Sequence, residues 1–264
     1  MQNSGMKILV CVKQVPEAEA EISIDASTKW ISVGGAAEYR MNRFDECAVE
    51  ESVLIKEAFP DTVIDVITVG PEQAEAVVRR SMGMGADNGA HILIEADGYV
   101  DAFATAGAIA AYARNKQYDL ILTGAMSEDL MQGQVGPLLA AHLEVAFISS
   151  TIHAELAADE KKIYVEREVE GGSREAGNIN LPALLTIQTG INTPRYPALS
   201  KLLRANNQEL AVVEADLSED ASTPQRLVDV SLPEKTRDAV FLEGSTADKA
   251  MQLAVILKER SLMS

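Results

Sequence analysis

The chain has 264 residues, 47% of them hydrophobic and 5% aromatic, a length that allows one main globular core with a small appendage. Its 40 acidic and 23 basic side chains give a net charge of -17, which disfavours nucleic acid or an anionic membrane as a partner, because phosphate binding needs a basic face. The two cysteines, Cys11 and Cys47, form no CxxC pair, which excludes a zinc knuckle and a disulfide framework and favours a reducing cytoplasm. No apolar run reaches the length of a membrane span, so the protein is not expected to be membrane-embedded.

The first half of the chain alternates between short apolar runs and amphipathic segments. The apolar runs predict strands over 7–15, ended by Pro16, and over 63–69, 90–95 and 119–124, with a small hairpin at 22–24 and 30–33. Helices are predicted over 42–59, 72–85 and 101–114, the first of them capped by Asn42. Four repeats of strand and helix predict a doubly wound α/β fold with a mostly parallel sheet, since each crossover must return right-handedly to the same edge.

The second half changes character after His142. Strand-like segments occur at 147–152, 162–169 and 181–187, followed by a polar stretch at 216–233 and an amphipathic helix at 247–262. We therefore expect residues 1–215 to form the α/β domain and residues 216–264 to form a linker and a helix that packs outside that domain.

The most informative candidate for a ligand site follows the strand at 119–124. Ligands of open parallel sheets bind beyond the carboxyl ends of the strands, and here TGAMSEDLMQGQVGPLLAAHL places Gly133, Gln134 and Gly136 at the start of a helix. Glycines at a helix start let backbone N–H groups approach an anion, so the segment predicts a phosphate site. The alternative is a tight strand-to-helix turn without a ligand.

Other patterns of catalysis or metal binding are missing from the sequence. It contains no GxxxxGK[ST], HExxH or GxSxG, and GMGADNG at 83–89 misses the dinucleotide spacing GxGxxG by one residue. The histidines at 91, 142 and 153 are scattered, and Cys11 at the end of the first strand is expected to be a small hydrophobe rather than a nucleophile. We predict neither a catalytic residue nor a metal site.

Four stretches together resemble the beta subunit of electron-transfer flavoproteins: ILVCVKQV near the start, MNRFDECAVEES at 41–52, DLMQGQVG at 129–136, and VEREVEGGSREAGNINLPALLTIQTGINTPRYPALSKLLRA at 165–205. The resemblance implies an α/β fold like that of the adenine-nucleotide alpha hydrolases, Rossmann-like but without hydrolase activity. It also implies a heterodimer with an alpha subunit that holds most of an FAD and against which residues 216–264 pack. Such a subunit carries electrons and catalyses nothing on its own.

The resemblance further implies an adenine nucleotide in the beta subunit. The ligand is AMP in many members and a second FAD in the electron-bifurcating members. Carried over residue by residue, its contacts are Cys11, Asn42, Arg43, Phe44, Asp45, Val69, Gly70, Met126, Ser127, Glu128, Asp129, Leu130, Met131, Gln132, Gly133, Gln134, Val135 and Gly136.

The proline-bracketed segment 194–204 resembles the loop that docks partner dehydrogenases, with Leu199 as its apolar anchor. The docking residues that this implies are Pro194, Arg195, Tyr196, Pro197 and Leu199. Pro194 and Pro197 restrict the free loop, which lowers the entropy lost on binding. The alternative is that Leu199 packs into its own core and that Arg195 caps a carbonyl.

Three functions follow as expectations. In the first, the chain and its alpha subunit carry electrons from acyl-CoA or related dehydrogenases, as in fatty acid beta-oxidation, to a flavoprotein:quinone oxidoreductase. In the second, the complex is electron-bifurcating, with an NADH-reactive FAD in the beta site. The third is a free-standing adenine-nucleotide sensor or hydrolase.

Overall fold

The structure, a computed structural model, describes residues 5–35, 37–94, 98–158, 161–215, 225, 227–233 and 239–263. The chain divides into two compact units, Met1–Val230 and Ser231–Ser264. Most of the predicted linker at 216–233 lies outside the described residues.

A nine-stranded sheet forms the centre of the first unit. Its order is β11-β10-β9-β12-β8-β1-β6-β7-β13, and every neighbouring pair is parallel except the two pairs made by β10. This confirms the predicted doubly wound, mostly parallel α/β fold. The described strands are β1 (Lys7–Cys11), β2 (Gln14–Pro16), β3 (Ile22–Asp25), β4 (Trp30–Val33), β5 (Tyr39–Met41), β6 (Val63–Gly70), β7 (Asn88–Leu93), β8 (Leu120–Gly124), β9 (Ala146–Leu156), β10 (Lys162–Val169), β11 (Ser173–Asn180), β12 (Ala183–Ile187) and β13 (Ala211–Glu214).

Helices cover both faces of this sheet. Consecutive side chains of the central strands point to opposite faces, so both faces carry apolar side chains that helices bury. Ile8 and Val10 pack in one core with Ala48 and Val78, whereas Leu9 packs in a second core on the opposite face. The described helices are α1 (Arg43–Ala58), α2 (Glu75–Met84), α3 (Ala102–Ala113), α4 (Val135–Leu143), α5 (Leu199–Asn206) and α6 (Thr246–Glu259).

The first strand is shorter than predicted. It ends at Cys11, and the backbone N–H of Lys13 donates to the carboxylate of Asp45 on α1, 2.8 Å away, instead of to a neighbouring strand. Gln14–Pro16 then forms β2, which pairs with β5 outside the main sheet. The prediction of one continuous strand to residue 15 was wrong, because a side chain from α1 takes the hydrogen bond.

Four elements were not predicted, among them the short strand β5 (Tyr39–Met41), which pairs with β2. Strand β11 is exposed along most of its polar sequence, and edge strand β13 is exposed throughout. Helix α5 begins at Leu199, inside the segment interpreted as a loop. The hairpin predicted at 22–24 and 30–33 is present as β3 and β4.

The second unit contains α6. Ser245 caps it in a capping box with Asp248, whose carboxylate accepts the Ser245 backbone N–H at 3.0 Å, and no residue of α6 is buried. The helix confirms the prediction for 247–262 except at its last residues. No helix in the described part of the chain is both long enough and apolar enough to cross a bilayer.

Candidate functional site

A cleft of about 770 Å³ lies at the carboxyl edge of the sheet, where β1, β6 and β8 end. It is enclosed by the first turn of α1, the loop 125–134, the start of α4, the β3–β4 hairpin and the segment 98–102. This is the edge at which doubly wound sheets bind their ligands.

Asp45 holds the ends of two strands together at the floor of the cleft. One carboxylate oxygen accepts the N–H of Lys13 and the other accepts the N–H of Gly124, at 2.8 and 2.9 Å. Gly124 must lack a side chain here, because a Cβ would lie 2.6 Å from the Cβ of Phe44 and would overlap the Asp45 carboxylate. Burial raises the pKa of Asp45 to about 7, although its hydrogen-bond donors act in the opposite direction.

Asn42 occupies the N-cap position of α1, but its side chain makes no capping hydrogen bond. Its Nδ2 donates to the carbonyl of Met126 at 2.9 Å, and its Oδ1 accepts the N–H of Glu128 at 3.1 Å. The prediction of a side-chain cap was therefore wrong: both groups of the amide bind the loop that borders the cleft.

The cations that line the cleft are paired with carboxylates, mostly those of the loop 125–134. Lys13 Nζ lies 2.7 Å from Asp129, and Arg40 bridges Glu128 at 2.7 Å and Glu17 at 2.9 Å. Partial burial opposes ionisation of Glu128, but hydrogen bonds from Arg40 and from the N–H of Arg43 outweigh it and lower the Glu128 pKa. Arg43, whose side chain is 67% exposed, lies 3.7 Å from the same Glu128, so each of the three cations has a carboxylate neighbour.

The start of α4 packs tightly against the sheet. A Cβ on Gly136 would lie 2.5 Å from Cγ2 of Thr186 and 3.0 Å from Oγ1 of Thr123, and a Cβ on Gly133 would lie 2.6 Å from the Ala125 carbonyl oxygen. The absence of these side chains brings the first turn of α4 and its N–H groups close to the strand ends.

The cleft also has an apolar and aromatic lining, and it includes residues that were not predicted from the sequence. The hairpin supplies Ile22, Ile31 and Val33, and Trp30 lies with its ring centroid 4.8 Å from that of Tyr99. A lone tryptophan on a predicted hairpin was the available signal, but no pattern in the sequence indicates that the hairpin lines a cleft at the strand ends.

The structure brings the predicted nucleotide contacts together with one exception. Gly70 does not line the cleft; its carbonyl accepts a hydrogen bond from the buried His91 side chain at 2.9 Å. Burial and then the nearby Asp45 carboxylate raise the pKa of the Cys11 thiol far above its ordinary value, so the thiol stays neutral. The predicted residues that line the cleft are Cys11, Asn42, Arg43, Phe44, Asp45, Val69, Met126, Ser127, Glu128, Asp129, Leu130, Met131, Gln132, Gly133, Gln134, Val135 and Gly136.

The predicted docking residues lie apart from the cleft. Tyr196 and Leu199 are 84% and 72% exposed, so Leu199 is not part of its own core. Pro197 is buried and Pro194 half-buried. Arg195 caps no carbonyl: its guanidinium binds the carboxylates of Glu50 and Glu57 on α1, at 2.9 and 2.6 Å.

No group of three or more His, Cys, Asp and Glu side chains that could hold a metal ion occurs within the described ranges. Cys11 and Cys47 are both free and buried.

The sheet order and the cleft define an α/β protein of the doubly wound class with a cleft at the carboxyl ends of its central strands. The family model described as "Electron transfer flavoprotein domain" matches residues 30–218. The electron transfer flavoprotein subunit beta of Bacillus subtilis is 33% identical over 97% of this chain and 99% of its own length. The subunit of the same name from Bos taurus is 30% identical, over 95% and 98%. The caffeyl-CoA reductase-Etf complex subunit CarD of Acetobacterium woodii is 31% identical, over 98% and 100%.

The chain belongs to the electron transfer flavoprotein beta subunit family. Membership gives it an electron-carrying role, an association with flavin and an electron transfer flavoprotein alpha subunit as partner.

Proposed function

We propose that the chain is the beta subunit of a cytoplasmic heterodimer that carries electrons from acyl-CoA or related dehydrogenases to a flavoprotein:quinone oxidoreductase. The alpha subunit holds the FAD, and the beta subunit holds AMP in the cleft. The observation that carries the nucleotide assignment is the mixed lining of the cleft: the β3–β4 hairpin and Tyr99 contribute apolar and aromatic side chains, and the loop 125–134, the start of α4, Lys13 and Arg40 contribute polar groups.

A mononucleotide matches this mixed lining. We place the planar base against the ends of β1 and β6 and the Trp30–Tyr99 pair, where stacking and apolar burial favour it. The phosphate is placed at the first turn of α4, whose N–H groups and dipole attract an anion. Since Lys13 and Arg40 are already paired, these backbone groups supply most of the attraction for the phosphate.

FAD, when bound, supplies the electron-accepting and electron-donating ring. The residues of this chain bind the nucleotide and orient the partner protein. Helix α1 and the loop 125–134 hold the nucleotide, and Tyr196 and Leu199 contact the dehydrogenase. The exposure of these two apolar side chains supports the docking assignment. The exposure of Met251 and Val255 on α6 supports the assignment of residues 216–264 as a linker and helix that pack on the alpha subunit.

The second candidate function is electron bifurcation, with an NADH-reactive second FAD in the cleft instead of AMP. The apolar wall that the hairpin adds beyond the strand ends favours it, because a dinucleotide has a second ring system to bury. The name of the Acetobacterium woodii relative, a subunit of a caffeyl-CoA reductase-Etf complex, also supports a reductase as partner for this chain.

The experiment that tests both candidates counts the released cofactors. The chain is co-expressed with its alpha subunit, the purified heterodimer is denatured, and FAD and AMP are quantified by chromatography. One FAD and one AMP per heterodimer are expected; two FADs would establish the second candidate, and one FAD without AMP would contradict both.

A matched pair of glycine variants locates the nucleotide. Gly136→Ala should release AMP and keep the FAD of the alpha subunit, because the new Cβ meets Thr186 and Thr123 and displaces the first turn of α4. Gly107→Ala on α3 is the control, since nothing lies within 4 Å of its Cβ position. Full AMP retention by Gly136→Ala would place the nucleotide elsewhere in the complex.

A further inference from the structure

The segment from Asn192 to Asn206, here called the docking platform, is tied to α1 at its beginning. Asn192 Nδ2 donates to the Cys47 carbonyl at 3.0 Å and to the Glu51 carboxylate at 2.9 Å. The backbone N–H of Arg195 donates to Glu50 at 3.0 Å. Backbone and side chain of the platform are thus both bound by one helix.

The Arg195 guanidinium makes the strongest of these attachments. Its Nε and Nη2 donate to the two oxygens of Glu50 at 2.9 Å each, and its Nη1 donates to Glu57 at 2.6 Å. Glu50 is only 4% exposed. A bidentate ion pair with a buried carboxylate fixes both the position and the orientation of the guanidinium.

Two arginines of α2 hold the rest of the platform. Arg80 is paired with Glu46 at 2.9 Å and lies 5.3 Å from the centre of the Tyr196 ring. Arg79 donates to the carbonyl of Ala205, at the C-terminal end of α5, at 2.6 Å. The platform is therefore fixed at its beginning by α1 and at its end by α2.

The inner side of the platform packs against α2. A Cβ on Gly83 would lie 2.7 Å from Cδ2 of Leu202 and 3.3 Å from Cβ of Pro197, so the glycine allows the close contact, and Ala205 is 1% exposed. On the outer side, Leu203 follows one turn after Leu199 and is 56% exposed. Because Leu202 and Ala205 already provide the packing, the outer leucines add nothing to the core.

We infer that Arg195 and Arg79 are positioning residues that hold the docking platform in its binding conformation, and that Leu203 joins Tyr196 and Leu199 in the surface that enters an apolar pocket of the dehydrogenase. This inference rests on the docking role proposed above. A loop that is ordered before it binds loses less conformational entropy in the complex, so the ion pairs act on affinity without touching the partner.

The test uses the FAD-loaded heterodimer as the electron acceptor of an acyl-CoA dehydrogenase from the same genome, reduced by its saturated acyl-CoA. The variant is Glu50→Gln with Arg195→Gln, which removes the pair without leaving a buried unpaired charge. We expect the KM for the heterodimer to rise about tenfold while kcat stays within about twofold, because ground-state docking is weakened and the electron transfer step is not. The matched control is Arg114→Gln at the end of α3, whose guanidinium binds a carbonyl outside the platform.

The outcomes separate this inference from the docking role itself. An unchanged KM in the double variant, with a raised KM in Leu199→Ala and Leu203→Ala, would overturn the positioning role of Arg195. An unchanged KM in both leucine variants would remove the docking role. If the double variant fails to assemble, hydrogen exchange of residues 192–206 is compared between Arg195→Lys and the unaltered heterodimer. Faster exchange is expected, and equal protection would overturn the inference.

Discussion

Asp45 joins the ends of β1 and β8 to the first turn of α1, and its burial makes it sensitive to pH. Its pKa is about 7 in the folded chain against an ordinary value of 3.8, so folding favours the protonated form. The stability that this group contributes is fully present below pH 3.8 and is lost as the pH rises towards 7, at about 1.4 kcal/mol per unit. Asp45→Asn removes the titrating carboxylate and with it this dependence, and it should also lower the stability at every pH because the amide nitrogen cannot accept the second backbone N–H.

The measurement is the thermal midpoint of the heterodimer at pH 5 and pH 8. The midpoint of the unaltered protein, relative to that of Asp45→Asn, should fall by roughly 3 to 8 °C between these values, given the size of the chain. Asp61→Asn, at an exposed position, controls for the change of net charge. Parallel midpoints for Asp45→Asn and the unaltered protein would show that Asp45 is ionised throughout.

Residue positions were easier to predict than residue partners. Gly133 and Gly136 at a strand-to-helix junction, together with the strand-end rule, predicted where the cleft lies. The partners of Asn42 and Arg195 could not be predicted, because a local N-cap and a carbonyl cap compete with acceptors more than 80 residues away. Only the folded chain decides which acceptor is nearer.

At the scale of elements, the β3–β4 hairpin forms the apolar wall of the cleft through Trp30, the only tryptophan of the chain. Trp30→Ala should speed the release of the adenine nucleotide roughly tenfold, because stacking of a base on an aromatic side chain contributes about 1–3 kcal/mol. Release is measured as AMP retained after timed dialysis of the heterodimer. Tyr39→Ala, on β5 outside the cleft, should release AMP at the normal rate. Equal rates for the unaltered protein and Trp30→Ala would place the base away from the hairpin.

The elements themselves were predictable where their own sequence carried the pattern. Buried runs such as ILVC and LILTG predicted central strands, and their alternation with helices predicted a parallel sheet. Strand β11 was missed because SREAGNIN has no apolar alternation and is held by pairing with β10 along its whole length. Helix α5 was missed because the family resemblance and the prolines at 194 and 197 favour a loop, although Leu202 and Ala205 have helical spacing.

At the scale of the whole molecule, no residue of helix α6 in the second unit is buried, although Ser245 and Asp248 stabilise its first turn locally. Met251 and Val255 are 64% and 54% exposed and lie one turn apart, an apolar pair that a separate chain can cover. Removal of residues 231–264 should therefore weaken heterodimer formation at least tenfold in an affinity measurement by analytical ultracentrifugation, since burial of a Met or Val side chain contributes about 1.5–3 kcal/mol. Met251→Ser with Val255→Ser should reproduce most of the loss, whereas Lys249→Ser on the same helix should not. Undiminished assembly of the truncated chain would show that the alpha subunit binds the first unit alone.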